Sequence, residues 1–172
     1  IWEGGMSFHG ALIGVIIGTY IFSKKIKVNT FFFLDIIASV APIGIFFGRI
    51  ANFINSELYG KPTSFFFSVI FPKIDTISRH PSQLYEAFLE GVLLFFILII
   101  ITFINRIKVG MCSSLFMILY GSFRILAEQF REPDNQIGYL LGSFSMGSVL
   151  SFAMILFGLF IFMKVKNNEI NQ

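Results

Sequence analysis

The sequence has few charged residues and almost no cysteine or tryptophan. Only 13% of its 172 residues are charged and one is cysteine, whereas 55% are hydrophobic and 24 are phenylalanine. A soluble domain of this length needs far more polar surface, so a soluble globular fold is excluded. One cysteine also excludes a disulfide framework, and the absence of paired Cys/His spacings argues against structural zinc.

The sequence instead contains a series of apolar stretches. Several approach the ~20 residues that cross a hydrocarbon core of ~30 Å. They predict an all-α polytopic membrane protein with one integral membrane domain over residues 1–172. Because the first residues look like the middle of a motif, we expect the chain to be the C-terminal two-thirds of a longer protein. The stretches predict about five transmembrane helices, at about 8–22, 31–47, 84–104, 111–126 and 144–163.

Basic residues follow the first, third and fifth stretches, and all three clusters fall on one side of the membrane. The positive-inside rule makes that side the cytoplasm. The segment between the second and third spans then lies on the outer side. It contains three prolines and an apolar patch too short to cross, so we predict a re-entrant or interfacial segment or short strands. The basic residues are Lys24, Lys25, Lys27, Arg106, Lys108, Lys164 and Lys166.

A first polar constellation, GRIANFINSELYG over 48–60, begins where the second span ends. On a continuing helix, Arg49, Asn52 and Ser56 share one face, with Glu57 beside them. An arginine at the hydrocarbon edge is costly unless it is paired or binds an anion, so it indicates a functional site. The alternative is that Arg49 only snorkels and Asn52 ties helices together.

A second constellation, YGSFRILAEQFREPD over 120–134, places Tyr120, Arg124, Glu128 and Arg131 on one helical stripe. Two guanidinium groups with one intervening carboxylate leave net positive charge. The stripe is therefore suited to orienting an anionic head group, with Glu128 fixing the arginine rotamers. A self-contained ion-pair ladder at an exposed helix end is an equally good interpretation.

A third constellation, RHPSQLYEAFLEG over 79–91, places Glu86 and Glu90 on one side of a helix that enters the membrane. We interpret them as structural partners of the arginines rather than as catalytic bases. His9, in GGMSFHG, is a candidate proton acceptor for a thiol, although a lone histidine at a helix end is more often structural. Cys112 is expected at the cytoplasmic end, away from the arginines, so a reacting thiol must come from a substrate.

Together these motifs resemble the prolipoprotein diacylglyceryl transferase family. The segment 48–60 is similar to the family signature, with Ala51 and Ser56 standing where glycine is usual. WEGGMSFHG resembles the histidine motif, and the segments 79–91 and 120–134 resemble the two remaining polar motifs. SMGSVLS resembles the start of the last span. The resemblance covers essentially the whole chain.

The resemblance implies an enzyme of the bacterial inner membrane with its active site on the periplasmic side. Its expected substrates are phosphatidylglycerol and the lipobox cysteine of a prolipoprotein signal peptide, within membrane lipid. A thioether would form and glycerol phosphate would leave, with no metal, cofactor or nucleic acid involved. The implied catalytic residues are His9, Arg49 and Arg124, and the implied phosphatidylglycerol-binding residues are Arg49, Asn52, Glu57, Gly60, Arg124, Glu128 and Arg131.

Two other classes of function fit parts of the sequence. A transporter or channel for an anionic solute would also use buried arginines, but its polar residues would run through to both faces. Here they cluster on the outer side, with Asp35 the main exception. A structural or lipid-binding membrane protein would need no proton acceptor.

Overall fold

The computed structural model describes residues 8–105, 107–132, 139–140 and 144–167. The fold is a bundle of long helices with two small antiparallel hairpins, one before the third span and one before the last helix. The third span begins as an α-helix, widens into a π-helix and continues as an α-helix. The helices are α1 (Phe8–Ile26), α2 (Thr30–Asn55), α3 (Ser82–Glu86), the π-helix (Ala87–Leu93), α4 (Leu94–Asn105), α5 (Met111–Glu128) and α6 (Met146–Lys166). The strands are β1 (Val69–Ile70), β2 (Ser78–Arg79), β3 (Tyr139–Leu140) and β4 (Phe144–Ser145).

Four of the helical segments in the described part of the chain are long and apolar enough to cross a membrane. The all-α polytopic fold class predicted from the sequence is therefore confirmed. Helices occur at all five expected positions, but α1 does not join the other four as a candidate span. Its last turn carries Lys24 and Lys25. The four spans are Thr30–Asn55, Ser82–Ile104, Met111–Glu128 and Met146–Lys166.

The α1–α2 turn, the α4–α5 turn and the end of α6 meet at one end of the bundle. Lys108 Nζ donates to the carbonyl of Lys166 at 3.2 Å. Gly110, in the left-handed conformation with φ +92°, packs so closely that an added Cβ would lie 2.9 Å from Val165 and 3.5 Å from Phe31. The predicted grouping of the basic connections at one end is thus present in the structure.

Asp35 has a structural function at this same end. Helix α5 begins after Gly110, which has no side chain to cap it. The Asp35 carboxylate accepts the N–H of Gly110 at 2.6 Å, the N–H of Ser113 at 2.7 Å and the hydroxyl of Ser113 at 2.5 Å. A carboxylate from α2 therefore caps the N-terminus of α5 and satisfies donors that would otherwise lack partners.

Close approach at glycines brings the spans together. A Cβ on Gly91 would lie 2.7 Å from the Cβ of Phe46, so the π-helix packs directly on α2. A Cβ on Gly121 would lie 2.7 Å from Ile155 and 2.8 Å from the Ser151 carbonyl, so α5 packs equally closely on α6. Small residues at such positions are what allow membrane helices to pack tightly.

The segment from 56 to 81 does not cross the bundle. It contains the β1–β2 hairpin, in agreement with the short strands predicted there. Ser56 ends α2 with φ +61°, a conformation that favours glycine, which accounts for the glycine usual at this position of the family. Phe65, Phe66 and Phe67 project outward, with Phe66 88% exposed. Placement of this segment at the membrane interface stays a prediction.

We predict that Asp35→Ala lowers the free energy of unfolding by about 1–3 kcal/mol, because buried donors at the start of α5 lose a charged acceptor. Ser39→Ala is the matched control in the same helix, since the Ser39 hydroxyl donates to the Ile36 carbonyl of its own helix. Its effect should stay within about 0.5 kcal/mol. Equilibrium unfolding in mixed micelles measures both. Equal effects for the two variants would contradict the capping function.

Candidate active site

Arg49 extends from the last part of α2 toward the third span. Its Nη1 lies 2.9 Å from Glu86 Oε2, and its Nη2 lies 3.0 Å from Glu90 Oε2. Both carboxylates are completely buried, whereas the Arg49 side chain is 15% exposed. The two-sided pairing holds the guanidinium plane against the helix that carries the two acids. Arg49 therefore does not simply snorkel to the membrane surface.

Arg124 reaches the same two carboxylates from the opposite side, from α5. Its Nη1 lies 2.5 Å from Glu86 Oε1 and 3.7 Å from Glu90 Oε1, and its Nη2 lies 2.9 Å from Glu128. The pairing with Glu128 is within one helix, whereas the other contacts join helices. Two arginines that are 75 positions apart in the sequence thus meet at one pair of acids.

Arg131 adds a third guanidinium group, with Nη1 3.9 Å from Glu86 Oε1. Among the described residues, three arginines therefore face three carboxylates, and the formal charge of the group is zero. We call these six residues the ion-pair cluster: Arg49, Arg124, Arg131, Glu86, Glu90 and Glu128. The net positive charge expected of the stripe from Tyr120 to Arg131 is balanced in the cluster, because the third span supplies two further carboxylates. Helix α5 ends at Glu128, so Arg131 lies beyond the helix on which the stripe was expected.

Burial makes the pairing within the cluster obligatory. An ionised carboxylate without a partner costs several kcal/mol in such surroundings, and removing one partner of a buried pair is strongly destabilising. Glu86 and Glu90 have no solvent-exposed surface in the structure. The sequence-based interpretation of these two acids as partners of the arginines is confirmed by the geometry.

Glu90 lies in the π-helix Ala87–Leu93, next to Gly91. π-Helical turns are rare and often occur at functional sites. The glycine lets α2 approach, so Arg49 in α2 reaches Glu90 without crossing a wider gap. Sequence periodicity gave no sign of this helix type, because its hydrophobic pattern is nearly that of an α-helix over seven residues.

The remaining signature residues lie in the loop that follows α2. An added Cβ on Gly60 would clash with the carbonyl of His80 and lie 2.8 Å from the carbonyl of Phe130, so only glycine fits between these chains. The backbone carbonyl of Glu57 accepts Gln83 Nε2 at 2.6 Å. In the described part of the chain, the exposed side chain of Glu57 forms no hydrogen bond or ion pair with the cluster. Asn52 contributes its carbonyl to the end of α2.

Arg79 stabilises this loop, a structural function that was not predicted from the sequence. Its guanidinium donates to Asp75 at 2.7 Å and to the Gly60 carbonyl at 3.2 Å, and it stacks over the Tyr59 ring at 4.9 Å. The hydrogen bond from Arg79 holds the pKa of Asp75 below its ordinary value, and Asp75 in turn raises the pKa of Arg79. Gly60 also pairs with Arg131 in an isolated antiparallel bridge, so the loop joins the cluster through its backbone.

His9 and Cys112 are the two remaining residues that the sequence analysis discussed. The side chain of His9 is outside the described residues, so its assignment as proton acceptor stays a prediction. Cys112 is buried in the first turn of α5, at the end of that helix opposite Arg124. Its position agrees with the expectation that it does not meet the arginines.

An apolar groove of about 490 Å³ lies on the other face of the third span. The His80 ring packs there against Phe130, with its Nδ1 3.3 Å from the hydroxyl of Tyr85. The His80 side chain therefore does not cap α3, which follows Pro81 without a side-chain cap. The groove is lined by Phe65, His80, Leu84, Tyr85, Phe88, Leu89, Leu126 and Phe130.

Comparison with known proteins identifies the family of this fold. The family model described as prolipoprotein diacylglyceryl transferase matches residues 1–164. Among curated relatives, the phosphatidylglycerol–prolipoprotein diacylglyceryl transferase of Rickettsia felis is 55% identical over 93% of this chain and 62% of its own length. The protein of that name from Rickettsia bellii is 53% identical over 99% of this chain and 66% of its own length.

The chain thus spans a little under two thirds of the length of these relatives. The match covers all three segments from which the ion-pair cluster and its adjoining loop are built. The chain belongs to the prolipoprotein diacylglyceryl transferase family.

Proposed function

We propose that this chain forms the part of a diacylglyceryl transferase that binds phosphatidylglycerol and transfers its diacylglyceryl group to the lipobox cysteine of a prolipoprotein. The names of the relatives describe that activity for those proteins. In this chain the proposal depends mainly on one observation: Arg49 from α2 and Arg124 from α5 converge on the same buried acids. Two guanidinium groups from different helices are well suited to a single phosphate.

The proposed reaction is a displacement at carbon. The substrate thiol loses its proton, and the thiolate sulfur attacks the glyceryl carbon that carries the phosphate. A carbon–sulfur bond forms, the carbon–oxygen bond breaks with its electron pair going to oxygen, and glycerol phosphate leaves. The arginines stabilise the charge that develops on the leaving phosphate. His9 is the proposed proton acceptor.

The other proposed binding residues support the arginines or shape the pocket. Glu128 pairs with Arg124 at 2.9 Å and fixes its orientation, and Arg131 lies on the same side of Glu86 as Arg124. Asn52 and Glu57 are proposed to border the lipid head group. Gly60 allows the loop to pass close to His80. Its backbone bridge to Arg131 then holds that residue beside the cluster.

The proposed orientation places the ion-pair cluster on the periplasmic side of the bacterial inner membrane. The lysine-rich connections lie at the opposite end of the bundle, where Lys108 contacts the end of α6. Excess Lys and Arg mark cytoplasmic connections. The site would then face the leaflet and compartment in which a signal-peptide cysteine becomes accessible.

The transport alternative receives no support from the described residues. The buried arginines and acids lie together at one end of the bundle. Asp35, the main polar residue of α2 toward the other end, is occupied as the cap of α5. A conducting path would need polar groups between these two places.

We expect a cysteine introduced at Lys25 to be protected from a membrane-impermeant thiol reagent in intact cells, because the lysine-rich end faces the cytoplasm. A cysteine introduced at Thr76, in the loop at the opposite end, should react. Cys112→Ser provides the background for both variants. The reverse labelling pattern would refute the orientation and with it the periplasmic site.

We also expect Arg49→Lys and Arg124→Lys, each in the full-length protein, to lower the transfer rate by on the order of 10²–10³. Lysine supplies a point charge instead of a planar pair of donors, so it cannot pair with phosphate and carboxylate at once. Transfer from radiolabelled phosphatidylglycerol to a lipobox peptide, at matched protein levels, measures the effect.

Arg79→Lys is the matched control for these variants, because its guanidinium pairs with Asp75 in the adjoining loop. It should retain most of the activity. Near-normal turnover of both Arg49→Lys and Arg124→Lys would show that these arginines do not bind the reacting phosphate.

A further inference from the structure

The carboxylate of Glu86 pairs with both of the arginines that are proposed to bind the lipid phosphate. Its Oε2 is 2.9 Å from Arg49 Nη1 and its Oε1 is 2.5 Å from Arg124 Nη1. One anionic group thus presents a separate oxygen to each arginine. A phosphodiester would present its two non-bridging oxygens to the same pair of guanidinium groups.

The terminal nitrogens of both arginines are already engaged by acids. The second terminal nitrogen of Arg49 pairs with Glu90 at 3.0 Å, and that of Arg124 pairs with Glu128 at 2.9 Å. Since the cluster is formally neutral, a phosphate added to it would gain no net Coulomb attraction and would still lose its hydration. Exchanging one anion for another avoids that cost.

Building on the proposed function, we propose that Glu86 is a resident counter-anion, which the phosphate of the lipid displaces from Arg49 and Arg124. Glu86 is then a positioning and selectivity residue. It holds both arginines in place before the lipid arrives and competes with every anion that enters.

Glu86 fits this function better than the other two acids of the cluster. It forms ion pairs with both arginines within 3 Å, whereas Glu90 lies 3.7 Å from Arg124. Glu90 also lies one helical turn farther along the span, away from the loop end of the bundle. Glu128 pairs with Arg124 within α5.

Arg131 provides a second position for the displaced carboxylate. Its Nη1 is 3.9 Å from Glu86 Oε1, so a rotation of the carboxylate toward Arg131 shortens an existing contact. The charge stays paired, which avoids the penalty of an isolated buried ion. The bridge between Gly60 and Arg131 fixes the backbone of this second partner.

The same competition acts on the product. After the carbon–oxygen bond breaks, glycerol phosphate occupies the arginines, and the return of Glu86 favours its release. A neutral lipid such as diacylglycerol has no charge with which to displace Glu86, so it is excluded from the arginines.

The experiment compares phosphatidylglycerol binding to the full-length protein and three variants in micelles, without peptide. Glu86→Gln removes the competing charge and should lower the dissociation constant about tenfold, which corresponds to ~1.4 kcal/mol. Glu90→Gln removes an equally buried charge one turn away and should give less than a third of that effect. Glu132→Gln, which changes a carboxylate that pairs with Arg79 and not with the two arginines, should leave the dissociation constant unchanged.

Unchanged or weaker binding by Glu86→Gln, or an equal gain for Glu90→Gln, would overturn the proposal. If Glu86→Gln does not accumulate, infrared difference spectra of the wild-type protein decide the question. A change in the carboxylate bands is expected with phosphatidylglycerol and not with diacylglycerol, and no change with either refutes displacement. Transfer by the wild-type protein is measured separately, so its absence would refute the proposed function itself.

Discussion

Two fully buried acids constrain the packing of the whole bundle. Glu86 and Glu90 stand in a segment long enough to cross a membrane, and neither has any exposed surface. Each needs cationic partners within a few ångströms, and its own helix provides none. Arg49 and Arg124 supply the charge from either side, so α2 and α5 must pack against the third span at one depth. The close contact between the π-helix and α2 at Gly91 helps to bring Arg49 within reach of these acids.

The balanced charge of the cluster also shapes its chemistry. Anion recognition with free arginines would leave repelling guanidinium groups in a poorly hydrated site. Here acids hold both arginines in a fixed arrangement before the substrate binds, and the loop at Gly60 and Arg79 fixes the third arginine from outside. The cost of preorganisation is competition for the same donors. The proposed exchange of Glu86 for phosphate reconciles a stable resting cluster with an anionic substrate.

The sequence predicted the helices and the polar faces of the segments 48–60, 79–91 and 120–134, since apolar runs and i, i+4 spacings are local properties. It also predicted that Glu86 and Glu90 would pair with the arginines. It did not predict the neutral charge of the cluster, because the pairing of Glu86 with both Arg49 and Arg124 depends on how three helices pack. In the sequence, Asp35 was the main polar residue outside the expected outer cluster. In the structure it caps α5, through backbone N–H groups 75 and 78 residues away. The packing of Gly60 against His80 is equally non-local.

A double-mutant cycle on the free energy of unfolding tests most directly whether Glu86 joins the two arginines. Methionine at position 49 or 124 removes the charge at similar volume and leaves Glu86 one close partner. Among the cationic groups of the described residues, methionine at both positions leaves it only the looser contact with Arg131. The double variant should therefore lose at least ~1 kcal/mol more than the two single variants combined. Additivity within about 0.5 kcal/mol would contradict a shared carboxylate.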